Sequence, residues 1–138
     1  MMRKTPLRKK SIQSISLIQN KIWDCCKQIV RKRYSKKNGK NDCYTCTAID
    51  IQGSNCHTGH LWAKASLGAW LKYDLRVLRP QCYKCNIHHG GAGALFYARM
   101  VRENGQEYMN SLERERQVTV KAIDHYTQIL EEYKKLCT

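Results

Sequence analysis

Cys43-Tyr-Thr-Cys46 and Cys82-Tyr-Lys-Cys85 form two C-x-x-C pairs. Four thiolates in two such pairs satisfy the closed tetrahedron of a structural Zn²⁺ and leave no position open for chemistry. A redox C-x-x-C would use a single pair beside a thioredoxin-like pattern, which the chain lacks. An ordinary zinc ribbon leaves about 15–20 residues between its knuckles, whereas 35 separate Cys46 from Cys82. That insert carries Asn55-Cys56-His57-Thr58-Gly59-His60, and Asn86-Ile87-His88-His89 follows directly on the second pair. A zinc ion joining the two segments would set the His57/His60 strand across from Asn86, His88 and His89. His, Asn and His around one hollow can bind a catalytic divalent ion and orient a water. Phosphodiester hydrolysis needs such parts, a base for the water and a metal to stabilise the phosphorane and the leaving oxygen.

Plainer roles are open to the same residues. His60 could hydrogen-bond within a turn, and Asn86 is a favoured N-cap for a following helix. His88 and His89 could contact phosphates rather than a metal, and Cys56 with His57 or His60 could build a mixed Cys/His zinc site. Gly59 leaves room for a phosphate to approach His60. The patch Gly90–Gly93 either admits a DNA backbone or ends a turn. Cys25 and Cys26 are expected to pack in the first helix, Cys137 to be a free tail thiol, and His125 to lie on the last helix.

The elements that must position these groups follow from periodicity. Ser11–Tyr34 has apolar residues at Ile12, Ile15, Ile18, Ile22, Cys26, Ile29 and Val30, which predicts a helix. Residues 35–42 read as a loop. From Cys43 to about His60 the alternation of Thr45, Thr47, Ile49 and Ile51 predicts two short strands around a turn at Gly53-Ser54. Leu61–Asp74 reads as a loop with a short helix near Ala69–Lys72, and Leu75–Leu78 as a brief strand before Pro80. A helix is expected to start near Asn86. Two amphipathic helices close the chain, Ala94–Glu103 with a continuation to Arg116, and Val120–Leu136. Apolar positions Val120, Ile123, Leu130 and Tyr133 would serve a homodimer or pack on the first helix, and both remain open.

Charge points to the partner. The chain of 138 residues has a formal net charge of +14. Of its 25 Lys/Arg, thirteen lie in residues 1–40 against the single acid Asp24, while the remaining 98 residues are nearly balanced. A basic arm on a neutral body fits a polyanion, with Arg3, Lys4, Arg8, Lys9, Lys10, Lys27, Arg31, Arg33, Lys36, Lys37 and Arg76 as the expected DNA contacts. Residues 1–10 are too basic for a secretory signal, and no apolar run or lipidation motif suggests a membrane. The expected location is therefore the cytoplasm, where thiols stay reduced and a disulfide framework is disfavoured.

The order C-x-x-C, Gly59-His60, Cys82-x-x-Cys85-Asn86 resembles the zinc-stapled HNH (ββα-metal) endonucleases. More narrowly it is similar to the lambdoid phage NinG (Rap) recombination family. The resemblance covers most of the chain: the basic helix before the first knuckle, Gly59-His60, Tyr73-Asp74-Leu75-Arg76 ahead of Gln81-Cys82, Cys85-Asn86-x-His88, and the C-terminal helices. It implies an α+β, mainly helical fold with a ββα-metal core, a basic N-terminal helix and two C-terminal helices. The organisation expected is a basic arm at 1–10 and one nuclease domain at 11–138, with the stapled core at about 43–100 and helices at about 94–138. The family implies structure-specific cleavage of branched DNA, such as Holliday junctions and D-loops, inside a bacterial host cell. By that resemblance His60 is the general base and Asn86 a ligand of catalytic Mg²⁺ or Mn²⁺. Related proteins often carry an aspartate ligand near the histidine. Here His57 stands three residues before His60, and His57 and His88 are the candidates to complete the set.

Overall fold

The computed structural model describes residues 7–137, with side chains from Ser14 onward. Arg3 and Lys4 lie outside the described residues, and Arg8, Lys9 and Lys10 have only their backbone described. The first helix, α1, spans Leu7–Arg33, so residues 7–10 continue into it without a break. It buries Ile22, Cys25, Cys26, Ile29 and Val30, a spacing of three and four that lays one apolar stripe along the helix. Arg31, Lys32 and Arg33 occupy its last turn, where cations complement the helix dipole.

Two four-residue strands, β1 (His57–His60) and β2 (Leu78–Gln81), pair antiparallel with His57 opposite Gln81 and His60 opposite Leu78. Three helices follow: α2 (Gly93–Asn104), α3 (Gln106–Glu115) and α4 (Ala122–Cys137). The result is a mainly helical α+β chain with one two-stranded sheet. Packing is most extensive between α1 and α4, and Leu130 and Tyr133 are buried there, with Ile123 half-buried beside them. The apolar stripe of the last helix is thus covered largely within the chain. Tyr133 Oη donates to the carbonyl of Tyr73 at 2.7 Å, fixing α4 to the segment after β1. No helix among the described residues is long and apolar enough to cross a membrane.

Five sequence expectations need correction. Residues 43–51 form no strand, only a single bridge between Asn41 and Ile51. Their backbone is curled instead: Cys43 N–H donates to Ala48 O at 2.9 Å and Ala48 N–H to Cys46 Sγ at 3.3 Å. Ile49 is accordingly 69% exposed while Ile51 is buried. Residues 75–77 are a 3₁₀ turn, capped by Asp74 accepting from Arg76 N–H, and the strand starts at Leu78 and includes Pro80. Proline is tolerated because the sheet has only two strands, and its outer edge takes one bond, Tyr44 N–H to Pro80 O. The short helical piece in the connecting segment falls at Lys64–Ser66 rather than at 69–72. Finally, Lys84–His88 is one wide π-type turn, and α2 starts only at Gly93, after Gly90, Gly91 and Ala92 with positive φ. Gly105 at φ 88 divides α2 from α3, so three helices close the chain instead of two.

Candidate functional site

Each knuckle bends so that its two sulfurs meet the other pair. The Sγ atoms of Cys43, Cys46, Cys82 and Cys85 all lie within 4.8 Å of one another. Cys46 and Cys82 are 3.7 Å apart, close to the edge of about 3.8 Å expected for a tetrahedron with Zn–S bonds near 2.3 Å. Backbone N–H groups of Ala48, Cys82 and Cys85 donate to the sulfurs of Cys46, Cys43 and Cys82. Burial and the neighbouring sulfurs push the Cys85 thiol up to about 12, although the Thr45 hydroxyl opposes them. Burial raises the Cys43 thiol, but hydrogen bonds from the Cys82 and Thr45 backbone, the Thr45 hydroxyl and Cys46 outweigh it and lower the thiol to about 6. The four sulfurs are therefore unequal, and a divalent cation would favour the thiolate at each of them. The four-cysteine set fits a closed zinc site.

The histidines take different places. His60 ends β1, half-buried, with its Nε2 2.9 Å from the Lys72 carbonyl. A carbonyl only accepts, so Nε2 carries the proton and Nδ1 holds the basic lone pair. The indole of Trp23, on α1, stacks on this imidazole with centroids 5.3 Å apart and planes 15° from parallel. Burial, with Lys64 and Lys72 nearby, holds the His60 pKa below the ordinary histidine value despite the Lys72 carbonyl bond. The ring is therefore neutral, oriented and basic at one nitrogen.

His57 begins the same strand and is anchored in the same manner, Nε2 donating to Ser54 O at 3.0 Å. Its Nδ1 faces the terminal amide of Asn86, 3.0 Å from Nδ2. Two ligand atoms on adjacent corners of an octahedron with bonds near 2.1 Å are about 3.0 Å apart. As placed, Asn86 Nδ2 donates to His57 Nδ1; the pair would meet that spacing as ligands only with the amide turned to present Oδ1. A ligating histidine ordinarily donates its other nitrogen to a carbonyl, as His57 does to Ser54.

Asn86 divides two hollows. One, of about 290 Å³, is lined by His60, Leu61, Ala63, Lys64, Asn86 and the backbone of Gly90, Gly91 and Gly93. The other, of about 320 Å³, is lined by Trp23, Lys27, Arg31, Ser54, Cys56, His57, Thr58 and Asn86 among others. Lys27 and Arg31 thus bring the basic face of α1 to the His57–Asn86 pair. The buried Thr58 hydroxyl in that wall has no partner among the described residues. No Asp or Glu lines either hollow.

Several other expected residues stand elsewhere. His88 packs edge-on against the ring of Tyr83 at 5.3 Å, and His89 lines the larger hollow over the cysteine cluster. Among the described residues the four cysteines are the only His/Cys/Asp/Glu group gathered closely enough for a metal. Arg76, expected on DNA, has its guanidinium occupied by Asp74 and Glu115, each at 2.7 Å. Lys36 is similarly held by Asp42 at 2.8 Å and Asp50 at 2.5 Å. Lys27 pairs with Asp24 at 3.3 Å and Arg31 donates to Cys56 O at 2.7 Å, while Arg33 and Lys37 are exposed. Cys56 is buried and donates to Asn41 Oδ1 at 3.6 Å. Cys137 is a free cysteine, as expected, and its thiol donates to the sulfur of Cys25, 2.9 Å away. Gly59 makes room for a side chain, not for a phosphate. A Cβ there would fall 1.6 Å from Oε1 of Gln81, which is fully buried.

A closed four-cysteine cluster, the Gly59-His60 strand end and Cys85-Asn86 in the wide turn occupy one continuous unit, flanked by the basic first helix and the closing helices. The family model described as bacteriophage lambda NinG protein matches residues 2–138. The chain belongs to the NinG family. No curated protein and no solved structure matches it. Within this NinG-family chain, three residues of the site escaped sequence reasoning. Trp23 and Lys64 belong to elements distant from the motifs or outside their spacing; stacking on His60 reveals Trp23, and the hollow it lines with His60 reveals Lys64. Gln81 stands next to Cys82, yet nothing in its type signals that its amide would bind Thr45 Oγ1 at 2.9 Å and Gly91 O at 2.8 Å. Those bonds tie the cysteine knuckle to the glycine run beside His60.

Proposed function

We propose that this NinG-family chain is a metal-dependent endonuclease of the HNH type acting on branched DNA, with one structural zinc on Cys43, Cys46, Cys82 and Cys85. The observation that carries the reading is the pair of imidazoles on β1, each anchored through Nε2 to a backbone carbonyl, His57 beside Asn86 and His60 lining the adjoining hollow. His60 Nδ1 takes a proton from water, the water oxygen bonds to phosphorus, and the bond from phosphorus to the leaving oxygen breaks. His57 and Asn86 are the residues that would hold the catalytic Mg²⁺ or Mn²⁺. Such an ion supplies charge neutralisation at the phosphorane and the leaving oxygen. With no carboxylate in the hollows, its remaining positions fall to water and to substrate phosphate, as is usual for Mg²⁺.

Lys27 and Arg31 on the wall of the neighbouring hollow, with Arg33 and Lys37 further along the basic segment, hold the DNA backbone. The basic arm, Arg3, Lys4, Arg8, Lys9 and Lys10, extends the same charge. The +14 charge supports a nucleic-acid partner, and the NinG family membership supports a phage protein. The test is incubation of the purified zinc-loaded protein with a four-way junction and a linear duplex of the same sequence, with Mg²⁺, Mn²⁺ or EDTA. Junction cutting that needs a divalent ion is expected. Junction binding without cutting under any of these ions would leave a DNA-binding module.

A further inference from the structure

We propose that Lys64 is the phosphate-binding cation of the His60 hollow, contacting a non-bridging oxygen of the bond to be cut. The assignment rests on the nuclease reading above. Lys64 opens the short turn that follows β1, four residues after His60. Its ammonium lies 4.8 Å from the Trp23 ring centroid and 5.4 Å from that of Tyr73. Ammonium groups are held over aromatic faces by the ring quadrupole. Trp23 also stacks on His60, so one indole sets the place of both the imidazole and the ammonium.

The surroundings of Lys64 lack a counter-charge. It lines the hollow with His60 and Asn86, no carboxylate shares that lining, and among the described residues no Asp or Glu pairs with it. Burial, and the like charge of Lys72, hold its pKa below the ordinary lysine value. By contrast Lys36, which is not near the histidines, has two aspartates. A solvent-exposed ammonium held over two rings and unneutralised by any carboxylate, lining the hollow with an oriented base, is completed by an anion. A phosphodiester supplies it, and its charge grows on the non-bridging oxygens as the water oxygen bonds to phosphorus. Interactions realised most strongly in the transition state accelerate the chemical step rather than binding. Lys64 moves no proton in this role.

The test starts by mapping the cut bond with the parent protein. Single-turnover cleavage is then measured for the parent, Lys64→Met, Lys64→Gln and Lys64→Arg on junctions with an Rp or an Sp phosphorothioate at that bond. Zinc content and junction affinity are measured on the same samples. Lys64→Met and Lys64→Gln are expected to slow cutting about 10²-fold, the scale of losing one transition-state donor. Zinc and affinity should stay near parental values, and Lys64→Arg should recover most of the rate. One phosphorothioate isomer should slow the parent yet add no further penalty to Lys64→Met. Parental cutting by Lys64→Met, or an equal sulfur penalty in both proteins, overturns the assignment while leaving the nuclease reading intact. A parent that cuts no junction removes both.

Discussion

Cys85 and Asn86 are neighbours in the chain, and their side chains serve regions of opposite character. Cys85 turns into a cluster whose four sulfurs face one another, three of them buried. Asn86 turns into a hollow where the ligand atoms are spread out, oriented from behind by carbonyls, and open in front. The first arrangement is complete without a substrate, whereas the second needs one. A closed thiolate set contributes folding energy and nothing to turnover. On the proposed reading, zinc on this cluster would be a construction device, and the chemistry would be sought one residue away.

The two regions can be pulled apart by substitution. Cys82→Ser should have the largest effect, because a structural zinc of this kind contributes on the order of 10 kcal/mol to folding. Zinc, measured by atomic emission, and the cooperative thermal transition should disappear together. Gly59→Ala should cost less, about 1–3 kcal/mol by overpacking. Its Cβ displaces the Gln81 amide from Thr45 and Gly91, and thermal melting should show the destabilisation while zinc remains bound. That variant tests whether the cluster and the hollow are mechanically linked through Gln81.

Acidity should separate them by another route. Burial holds the His60 pKa below the ordinary histidine value of about 6.5. The folded chain thus favours the neutral ring, and this group's contribution to stability is present above that value and lost as pH falls through the lowered one. The acidic limb of kcat/KM, which reports the free enzyme, should have its midpoint below the ordinary value. A midpoint above it would mean that another group is the base. The smallest effect is expected from the basic wall. Replacing Lys27 and Arg31 by alanine should flatten the log–log salt slope of duplex binding by about 0.9 for each phosphate that is no longer neutralised, measured by fluorescence anisotropy across a salt series.

The cysteine cluster was legible because its ligands come as short, self-announcing pairs. Two turns with fixed sulfur spacing need no knowledge of the fold between them. His60, His57 and Asn86 were legible as candidates, and the structure brings His57 to Asn86 and sets His60 in the adjoining hollow. His88 packs on the Tyr83 ring that His57 also touches, and it lines neither hollow beside Asn86. Trp23 illustrates the opposite failure. On α1 it reads as one more apolar residue, and its position beside His60 depends on how α1 lies against β1, which periodicity does not encode. The apparent strand at 43–51 shows why: the alternation of Thr45, Thr47, Ile49 and Ile51 was present, but the knuckle's N–H groups are committed to sulfur and to a tight turn. Arg76 and Lys36 are cations for DNA when charge alone is read; Asp74, two residues from Arg76, was visible as a neighbour but not as a partner, and Glu115, Asp42 and Asp50 reach them from distant segments or across a loop.

The most direct test of the division between a structural and a chemical region is His60→Ala. Single-turnover junction cleavage, zinc content and junction affinity are to be measured on one preparation beside the parent. Loss of the general base should slow cutting roughly 10²–10⁴-fold while zinc stays at one per chain and affinity is nearly unchanged. A His60→Ala protein that cuts its junction at the parental rate would contradict the assignment of the base to this hollow.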